Sequence, residues 1–204
     1  MSEITTLDQL REILGAPMPL VMAKDRTAFE PAHRAFIERS PLCLVSTAGA
    51  DGTCDVSPKG DPAGSFLIVD DTTLAIPERP GNRRVDGFAN VLTNPHVGLL
   101  FLVPGRGDTL RVNGRARLLT DAPYADQLEV KEHRPTVIME VAVEQTFFHC
   151  SKAFLRSELW NPETWHPEAV PSRADIAHAL ERKDEPLEKI REYYDSPEYA
   201  KHLY

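Results

Sequence analysis

Between residues 42 and 148, short apolar segments alternate with clusters of turn-forming residues, and this spacing limits the fold more than any other feature of the chain. Residues 96–103 read HVGLLFLV, a nearly continuous apolar run that predicts a strand buried on both faces. Residues 108–119 alternate instead, with apolar residues on one side and mainly arginine and asparagine on the other. About seven short strands, joined mostly by tight turns, predict an antiparallel barrel or sandwich.

The other predicted strands complete two hairpins and a long last strand, at residues 42–47 and 53–57, 65–69 and 73–76, and 137–148. Helices are predicted around them. In the first helix, Thr6 and Gln9 fit a capping box. Its apolar residues share one face: Leu7, Leu10, Ile13 and Leu14. Further helices are predicted from Pro31 and at 85–92, 123–130, 172–182 and 186–194.

These elements predict one domain in three segments. Residues 1–40 hold the N-terminal helices, 41–150 form the barrel, and 151–204 form a helical extension. The extension is rich in charge, so it is expected to be solvated or to face a partner rather than to belong to the barrel.

Composition excludes several classes of protein. The net charge of -8 argues against non-specific binding to nucleic acid, since phosphates would repel the chain. No apolar stretch approaches the roughly 20 residues that a membrane span needs. The N-terminus is acidic and lacks the basic start of a secretion signal. The three cysteines form no CxxC pair, so neither a disulfide framework nor a zinc site is expected, and the cytoplasm is the expected compartment.

A candidate phosphate site lies in residues 76–90, which read IPERPGNRRVDGFAN. A strand ends there, a Pro/Gly turn follows and a short helix begins, with Asn82 as its predicted N-cap. Arg83 and Arg84 lie at the predicted start of the helix. Two guanidinium groups, backbone N–H groups and the positive helix end would together suit a phosphate dianion. The alternative is a solvated basic turn that pairs with Asp86 or another surface acid.

A second candidate segment, residues 55–61, reads DVSPKGD and follows a predicted strand. Lys59 there could reach an anion or a ring carbonyl, but an exposed turn with Asp61 as a cap explains the same residues. In the third segment, alternation places Arg111, Asn113 and Arg115 on one strand face. That face is either the outside of the barrel or a dimer surface that completes a neighbour's site.

Other chemistries find little support in the sequence. Gly114 lies inside a predicted strand and indicates a β-bulge or a close approach of another backbone segment. Cys150 follows His149, but neighbours on a strand face opposite ways, so a buried, inert thiol is expected. The histidines show no HxH or HExxH spacing, and the chain has no GxSxG, Walker or GxGxxG motif, which argues against metal, hydrolase, P-loop and Rossmann sites.

The order of these segments resembles a known family. VSPKGDPAG, IPERPGNRR, DGFANVLTNPHVGLLFLVPG and TLRVNGRARL follow one another as in the pyridoxamine 5′-phosphate oxidase-like FMN-binding split barrels. The bacterial FMN-binding branch that shares SPKGD, GNRR and HCSKAFLRSELW is the most similar, over residues 37–160. The chain departs from the true oxidases after that, because AFLRSELWNPETWHP replaces their Trp/Arg-rich substrate motif. This departure argues against oxidation of pyridoxamine phosphate.

The resemblance implies a mainly β fold, a six-stranded antiparallel split β-barrel with flanking helices and a helical C-terminal extension. It also implies a homodimer with FMN sites at the subunit interface. It assigns Val56, Ser57, Pro58 and Lys59 to the ring, with Lys59 also able to serve the phosphate, and Pro77 and Glu78 to the ribityl chain. It assigns Asn82, Arg83 and Arg84 to the phosphate, Asn90 to their support, Arg111 and Asn113 to the partner subunit's contribution, and Lys152, Arg156 and Trp160 to the mouth of the site.

The implied function is that of an FMN-dependent oxidoreductase acting on an unidentified small molecule. Three alternatives stay open at this point. One is a non-catalytic protein that binds or stores flavin. Another is a related split barrel that holds heme or a deazaflavin. The third is an interaction module that uses only the C-terminal helices.

Overall fold

The computed structural model describes residues 2–197, 199 and 203. The predicted segments 1–40 and 151–204 therefore include positions 1, 198, 200–202 and 204, which lie outside the described residues. Within the described part of the chain, no helix combines the length and apolar character that a membrane crossing requires.

One antiparallel sheet forms the centre of the molecule. Its strands are β1 Leu42–Ala48, β2 Cys54–Gly60, β3 Leu67–Ile68, β4 Thr73–Pro77, β5 His96–Leu102, β6 Thr109–Leu119 and β7 Ile138–His149. They lie in the order β2-β1-β5-β6-β7-β4-β3, with every named pairing antiparallel. The mainly β prediction is confirmed. The described residues form seven strands in an open order, so closure into a six-stranded barrel stays a prediction.

Alternation along the central strands creates the core. In β5 the side chains of Val97, Leu99 and Phe101 are buried, whereas Leu100 and Leu102 are only partly covered. The prediction that this strand is buried on both faces is therefore wrong for the single chain. The reason is that helices and loops cover the inner face of the sheet, while no layer of the described chain fully covers the outer face.

A β-bulge lies between β6 and β7, as Gly114 predicted. Asn113 stands opposite Gln145 and Gly114 stands opposite Val143, which leaves Glu144 without a partner residue on β6. A Cβ atom on Gly114 would lie only 2.1 Å from the backbone oxygen of Ala142. Both readings of this glycine, a bulge and a close backbone approach, are confirmed.

The helices are α1 Leu7–Leu14, α2 Pro19–Met22, α3 Pro31–Arg39, α4 Asp86–Thr93, α5 Lys152–Ser157, α6 Arg173–Leu180 and α7 Leu187–Asp195. The capping box at Thr6 and Gln9 is confirmed. Helix α3 packs Phe36 and Ile37 into the main core. Helices α6 and α7 form a small separate cluster, and α4 contacts β1, β2 and β6.

Candidate functional site

A groove of about 290 Å³ opens between the inner face of β2, the loop after β4 and the start of α4. The side of β2 contributes Asp55, Ser57 and Lys59, and the loop contributes Glu78, Asn82 and Arg84. Five of these six residues were assigned to the cofactor from sequence. The fold thus brings together two segments that lie about 20 residues apart in the chain.

The groove shows that the motif of residues 56–59 is divided between two faces of the sheet. Ser57 stands opposite the buried Val45, on the inner face. Val56 stands opposite Ser46 and is 60% exposed on the outer face. The division follows from the two-residue period of a strand. Lys59 lies on the same face as Ser57, and Pro58 lies on the same face as Val56.

Each cation of the groove already has a neighbouring carboxylate. Lys59 forms an ion pair with Glu78, and its ammonium lies 4.9 Å from the centre of the Phe88 ring. Arg84 pairs with Asp86 through a side chain that is 77% exposed. This ion pair is the one expected if the segment is a solvated basic turn. It does not compete strongly with a phosphate, because exposed ion pairs are weak and a dianion forms stronger charge-assisted hydrogen bonds.

The turn before α4 corrects one prediction. Asn82 is not the N-cap of this helix, since Val85 occupies that position and the helix begins at Asp86. The Asn82 side chain instead accepts a hydrogen bond of 3.0 Å from the backbone N–H of Arg84. Arg83 and Val85 both adopt left-handed backbone angles, at φ 59° and 52°. Such angles are unusual for a β-branched valine, so strain is concentrated where the loop meets the groove.

The two predicted phosphate arginines line different depressions. Arg84 lines the groove, whereas Arg83 lines an adjoining depression of about 510 Å³, together with residues 133–137. Both depressions share Glu78, Val85 and Phe88 as walls. Only Arg84 lines the groove itself, and the prediction that both arginines grip one phosphate stays a prediction.

A further depression of about 390 Å³ continues the groove past Lys59 and Glu78. Pro58 and Pro77, both assigned from sequence, line it, and so does Leu203 from the C-terminal end of the chain. The groove and its two neighbours thus form one continuous surface around Glu78.

An ion pair that the sequence did not single out holds this loop. Arg79 Nε lies 2.7 Å from Asp61 Oδ2, and both side chains are largely buried. The same guanidinium donates to the backbone oxygens of His133 and Leu128, at 3.1 and 2.7 Å. Arg79 is the last residue of the PER part of the motif, but periodicity could not show that Asp61 would be its partner. Removing one member of such a pair typically costs about 3–5 kcal/mol.

The start of α4 also depends on a small residue. A Cβ atom on Gly87 would lie 3.0 Å from Asp55 Oδ2 and 3.5 Å from Thr47 Oγ1, so a larger residue would require the Asp55 carboxylate to shift. Asn90 does not line the groove. Its Nδ2 atom donates to Thr47 Oγ1 at 3.1 Å and so holds α4 against β1.

Arg111 and Asn113 lie on the opposite side of the sheet, which we call the outer face. Across that face, Val56, Ser46, Gly98, Asn113 and Gln145 stand in register, and Pro58, Leu44, Leu100, Arg111 and Phe147 form the next row. Arg111 and Asn113 both donate to Gln145 Oε1 at 2.9 Å. Within its own chain, Arg111 lies over Phe147 and its buried Nε atom has no hydrogen-bond partner.

The residues of α5 and the segment after it lie apart from the groove. Trp160 Nε1 donates to the backbone oxygen of Arg106 at 2.7 Å, and its ring stacks with Phe154. Lys152, Arg156 and Trp160 do not line the groove of the same chain. Their assignment to the mouth of the site stays a prediction.

The thiols correct a second prediction. Cys150 is exposed rather than buried, because β7 ends at His149 and the chain turns away towards α5. A hydrogen bond from the backbone of Lys152 lowers the pKa of the Cys150 thiol. Burial raises the pKa of Cys43 instead. Among the described residues, no group of three or more His, Cys, Asp or Glu side chains could hold a metal ion.

One comparison with known proteins identifies a family. The family model described as pyridoxamine 5′-phosphate oxidase matches residues 29–150. A search of curated proteins found no significant match.

Several solved structures are similar to the chain. HupZ of Group A Streptococcus is 22% identical, with a TM-score of 0.47, and the match covers 59% of this chain and 93% of that one. General stress protein 26 of Bacillus anthracis is 16% identical, with a TM-score of 0.44 and coverage of 56% and 88%. An FMN-binding protein of Syntrophomonas wolfei is 11% identical, with a TM-score of 0.43 and coverage of 71% and 97%. With TM-scores below 0.5, these similarities add no weight to the family match.

Proposed function

Since the family model matches more than half of its length, this chain belongs to the pyridoxamine 5′-phosphate oxidase family, and we propose that it is an FMN-dependent oxidoreductase. The observation that carries the proposal is the convergence of Lys59, Arg84 and the start of α4 on one groove. The proposed assembly is a homodimer of six-stranded split barrels, with one FMN site at each end of the subunit interface. The substrate is a small molecule.

The phosphate of FMN fits the end of the groove near α4. The first backbone N–H groups of an α-helix have no partner within the helix, and the helix dipole makes that end positive. Arg84 lies next to this end, and Asn82 shapes the turn that presents it. Bound phosphate would replace Asp86 as the partner of Arg84. Arg83 would complete the grip from the adjoining depression.

The ring and ribityl chain need more surface than this groove offers. At about 290 Å³, its volume lies at the lower end of the range for ligand pockets, which is roughly 300–1,000 Å³. The ribityl chain would follow Glu78 and Pro77 into the adjoining depression. The ring would lie at the edge strand β2, against Val56 to Lys59, and Arg111 and Asn113 of the partner subunit would cover it. Lys152, Arg156 and Trp160 would shape the mouth.

When bound, FMN supplies the redox chemistry, and the chain supplies binding, orientation and electrostatics. Lys59 is held by Glu78 at the inner edge of β2, where a positive charge would favour a reduced, anionic ring. None of the described residues is assigned as a general acid or base. The cytoplasm is the proposed compartment, since Cys54 and Cys150 are exposed free thiols that suit reducing conditions.

The visible absorption spectrum of freshly purified protein tests the cofactor. We expect the two bands of oxidised flavin, and mass spectrometry of the material released by heat should identify FMN. A Soret band would assign heme instead, and a released deazaflavin would assign that cofactor. Protein that is colourless and takes up no added FMN would refute the proposal.

Anaerobic reduction separates an enzyme from a storage protein. We expect NADH or NADPH to bleach the flavin bands within the time of a stopped-flow or manual mixing experiment, and oxygen to restore them. Flavin that stays oxidised with both donors, yet is reduced by dithionite, would favour a protein that only binds flavin.

A further inference from the structure

The N-terminal arm, residues 2–23, has no buried residue in the part of the chain that the structure describes. Every residue from 2 to 27 is exposed. The apolar face of α1 is open to solvent, with Leu7 64%, Ile13 66% and Leu14 73% exposed. An isolated helix of eight residues is marginal in water, because helices in proteins gain most of their stability from packing an apolar face. We therefore expect the apolar face of α1 to pack against a surface that the described single chain does not supply.

The arm leaves the folded chain at the outer face. The backbone of Arg26 forms two hydrogen bonds with Thr146 of β7, at 3.0 and 2.8 Å. Beside it, Asp25 Oδ2 accepts a hydrogen bond of 2.6 Å from Gln145, the residue that also binds Arg111 and Asn113. This anchor places the start of the arm next to the side chains through which a second copy is proposed to approach.

The outer face and the arm are complementary. Leu44 and Leu100 are only partly covered there, and Val56 is exposed. Arg111 and Arg115 of β6 place two positive charges on this face, beside one exposed acid, Glu144, at the bulge. The arm carries the acids Glu3, Asp8 and Glu12 and a single basic residue, Arg11, for a net charge of -2.

We propose that the arm of each copy packs its apolar face onto the outer face of a second copy, so that two arms clasp the dimer. An isologous dimer allows this exchange to occur twice around one two-fold axis. The arm does not suit a membrane surface, since its acids would be repelled by anionic headgroups. The inference rests on the proposed function only because that function places a second copy against the outer face.

Sedimentation velocity on the full-length protein without added flavin tests the clasp. The variant Leu7→Ser/Ile13→Ser/Leu14→Ser removes the apolar face, and Val170→Ser/Leu180→Ser, which replaces two similarly exposed apolar residues of the C-terminal segment, is the matched control. We expect the dimer dissociation constant to rise at least tenfold in the first variant and to stay unchanged in the control.

A variant lacking residues 2–23 should show the same rise in the dissociation constant as the first variant. Circular dichroism should show an intact sheet in all of them, since the arm buries no residue in the single chain. Unchanged dimerisation in both the apolar variant and the deletion would overturn the proposal.

Photo-crosslinking identifies the surface that the arm covers. Leu14 is replaced by the photo-reactive residue benzoylphenylalanine. Copies of this variant labelled with ¹⁴N and with ¹⁵N are mixed before irradiation. We expect crosslinks between differently labelled copies, to peptides within residues 42–60 or 96–115. Crosslinks only within one copy, or binding of the arm to phosphatidylserine vesicles in place of the second copy, would contradict the clasp.

Failure of the clasp differs from failure of FMN binding, because neither measurement requires flavin. A clasped dimer that stays colourless and takes up no FMN would refute the cofactor proposal and support the clasp. A flavin-containing protein whose arm crosslinks only within its own copy would do the reverse.

Discussion

The inner groove and the outer face use neighbouring residues of the same strand for different purposes. On the inner side of β2, Ser57 and Lys59 meet carboxylates, and each donor has a partner. On the outer side, Val56 is exposed beside partly covered leucines, and the buried Nε of Arg111 has no acceptor. The single chain thus satisfies these polar groups on the inner side, where we propose that a phosphate replaces a carboxylate. The outer side is left partly uncovered, because no described element of the single chain packs fully over it.

The largest expected effect concerns the bulge that sets the outer face. In Gly114→Ala, the new Cβ atom would meet the Ala142 backbone oxygen at 2.1 Å, a contact that no rotamer change relieves. We expect the free energy of unfolding to fall by about 3 kcal/mol or more, as for severe overpacking. Urea denaturation followed by circular dichroism measures it.

Gly98→Ala is the control for this substitution. It is a glycine of the neighbouring strand β5 on the outer face, and its Cβ atom would find Asn113 Oδ1 at 3.5 Å and Ser46 Cβ at 3.9 Å, which are ordinary contacts. Equal destabilisation by the two substitutions would show that the bulge is not the tight point of the β6–β7 seam.

The next effect concerns the inner groove. Arg83→Ala/Arg84→Ala should weaken FMN binding by at least roughly 100-fold, because each of the two lost charge-assisted hydrogen bonds to phosphate contributes about 1.5 kcal/mol or more. Quenching of flavin fluorescence during titration of apoprotein gives the dissociation constant. Without flavin, dimerisation should stay nearly unchanged, because neither arginine belongs to the outer-face rows.

Arg173→Ala/Arg182→Ala is the matched control, since both arginines form ion pairs within the C-terminal helices. It removes the same charge away from the groove and should leave FMN affinity nearly unchanged. If the two double variants bind FMN equally, the phosphate does not lie against Arg83 and Arg84.

A charge on the outer face should separate the subunits. Leu100→Asp places a carboxylate in the middle of the partly covered row, and we expect the dimer dissociation constant to rise by roughly 30-fold, as for an interface hot spot of about 2 kcal/mol. Leu180→Asp, on α6 at a site that is 72% exposed, should change nothing. An unchanged dimer in Leu100→Asp would show that the outer face is not the interface.

The smallest effect lies in the thiols. At neutral pH, Cys150 should react severalfold faster with a disulfide reagent than Cys54, because its lowered pKa increases the thiolate fraction. Cys43 should react only after unfolding, since burial raises its pKa. Mass spectrometry of timed samples distinguishes the three sites.

Cys54 also reports on the outer face, because it borders that face with Ser46 and Gly98. Its reaction should accelerate in Leu100→Asp, while that of Cys150 stays constant. A Cys54 rate that is the same in monomer and dimer would indicate that the second copy leaves this edge uncovered.

Local patterns in the sequence determined most of the secondary structure. The capping box at Thr6, the start of α3 at Pro31 and the alternation of β6 depend on neighbours within a few residues, so periodicity and capping chemistry were sufficient. The bulge at Gly114 was also readable, because a strand rarely keeps a glycine without a close backbone contact. The order of the motifs predicted the family.

Only the tertiary structure decided which residues share a surface. It joined Arg79 to Asp61 and placed Arg83 and Arg84 in different depressions. It also moved the N-cap from Asn82 to Val85 and exposed Cys150. These outcomes depend on strand register, left-handed turn residues and contacts between distant segments, which the pattern of apolar residues along a chain does not encode. Local chemistry therefore determined the elements and the motifs, and long-range packing determined the two faces on which they act.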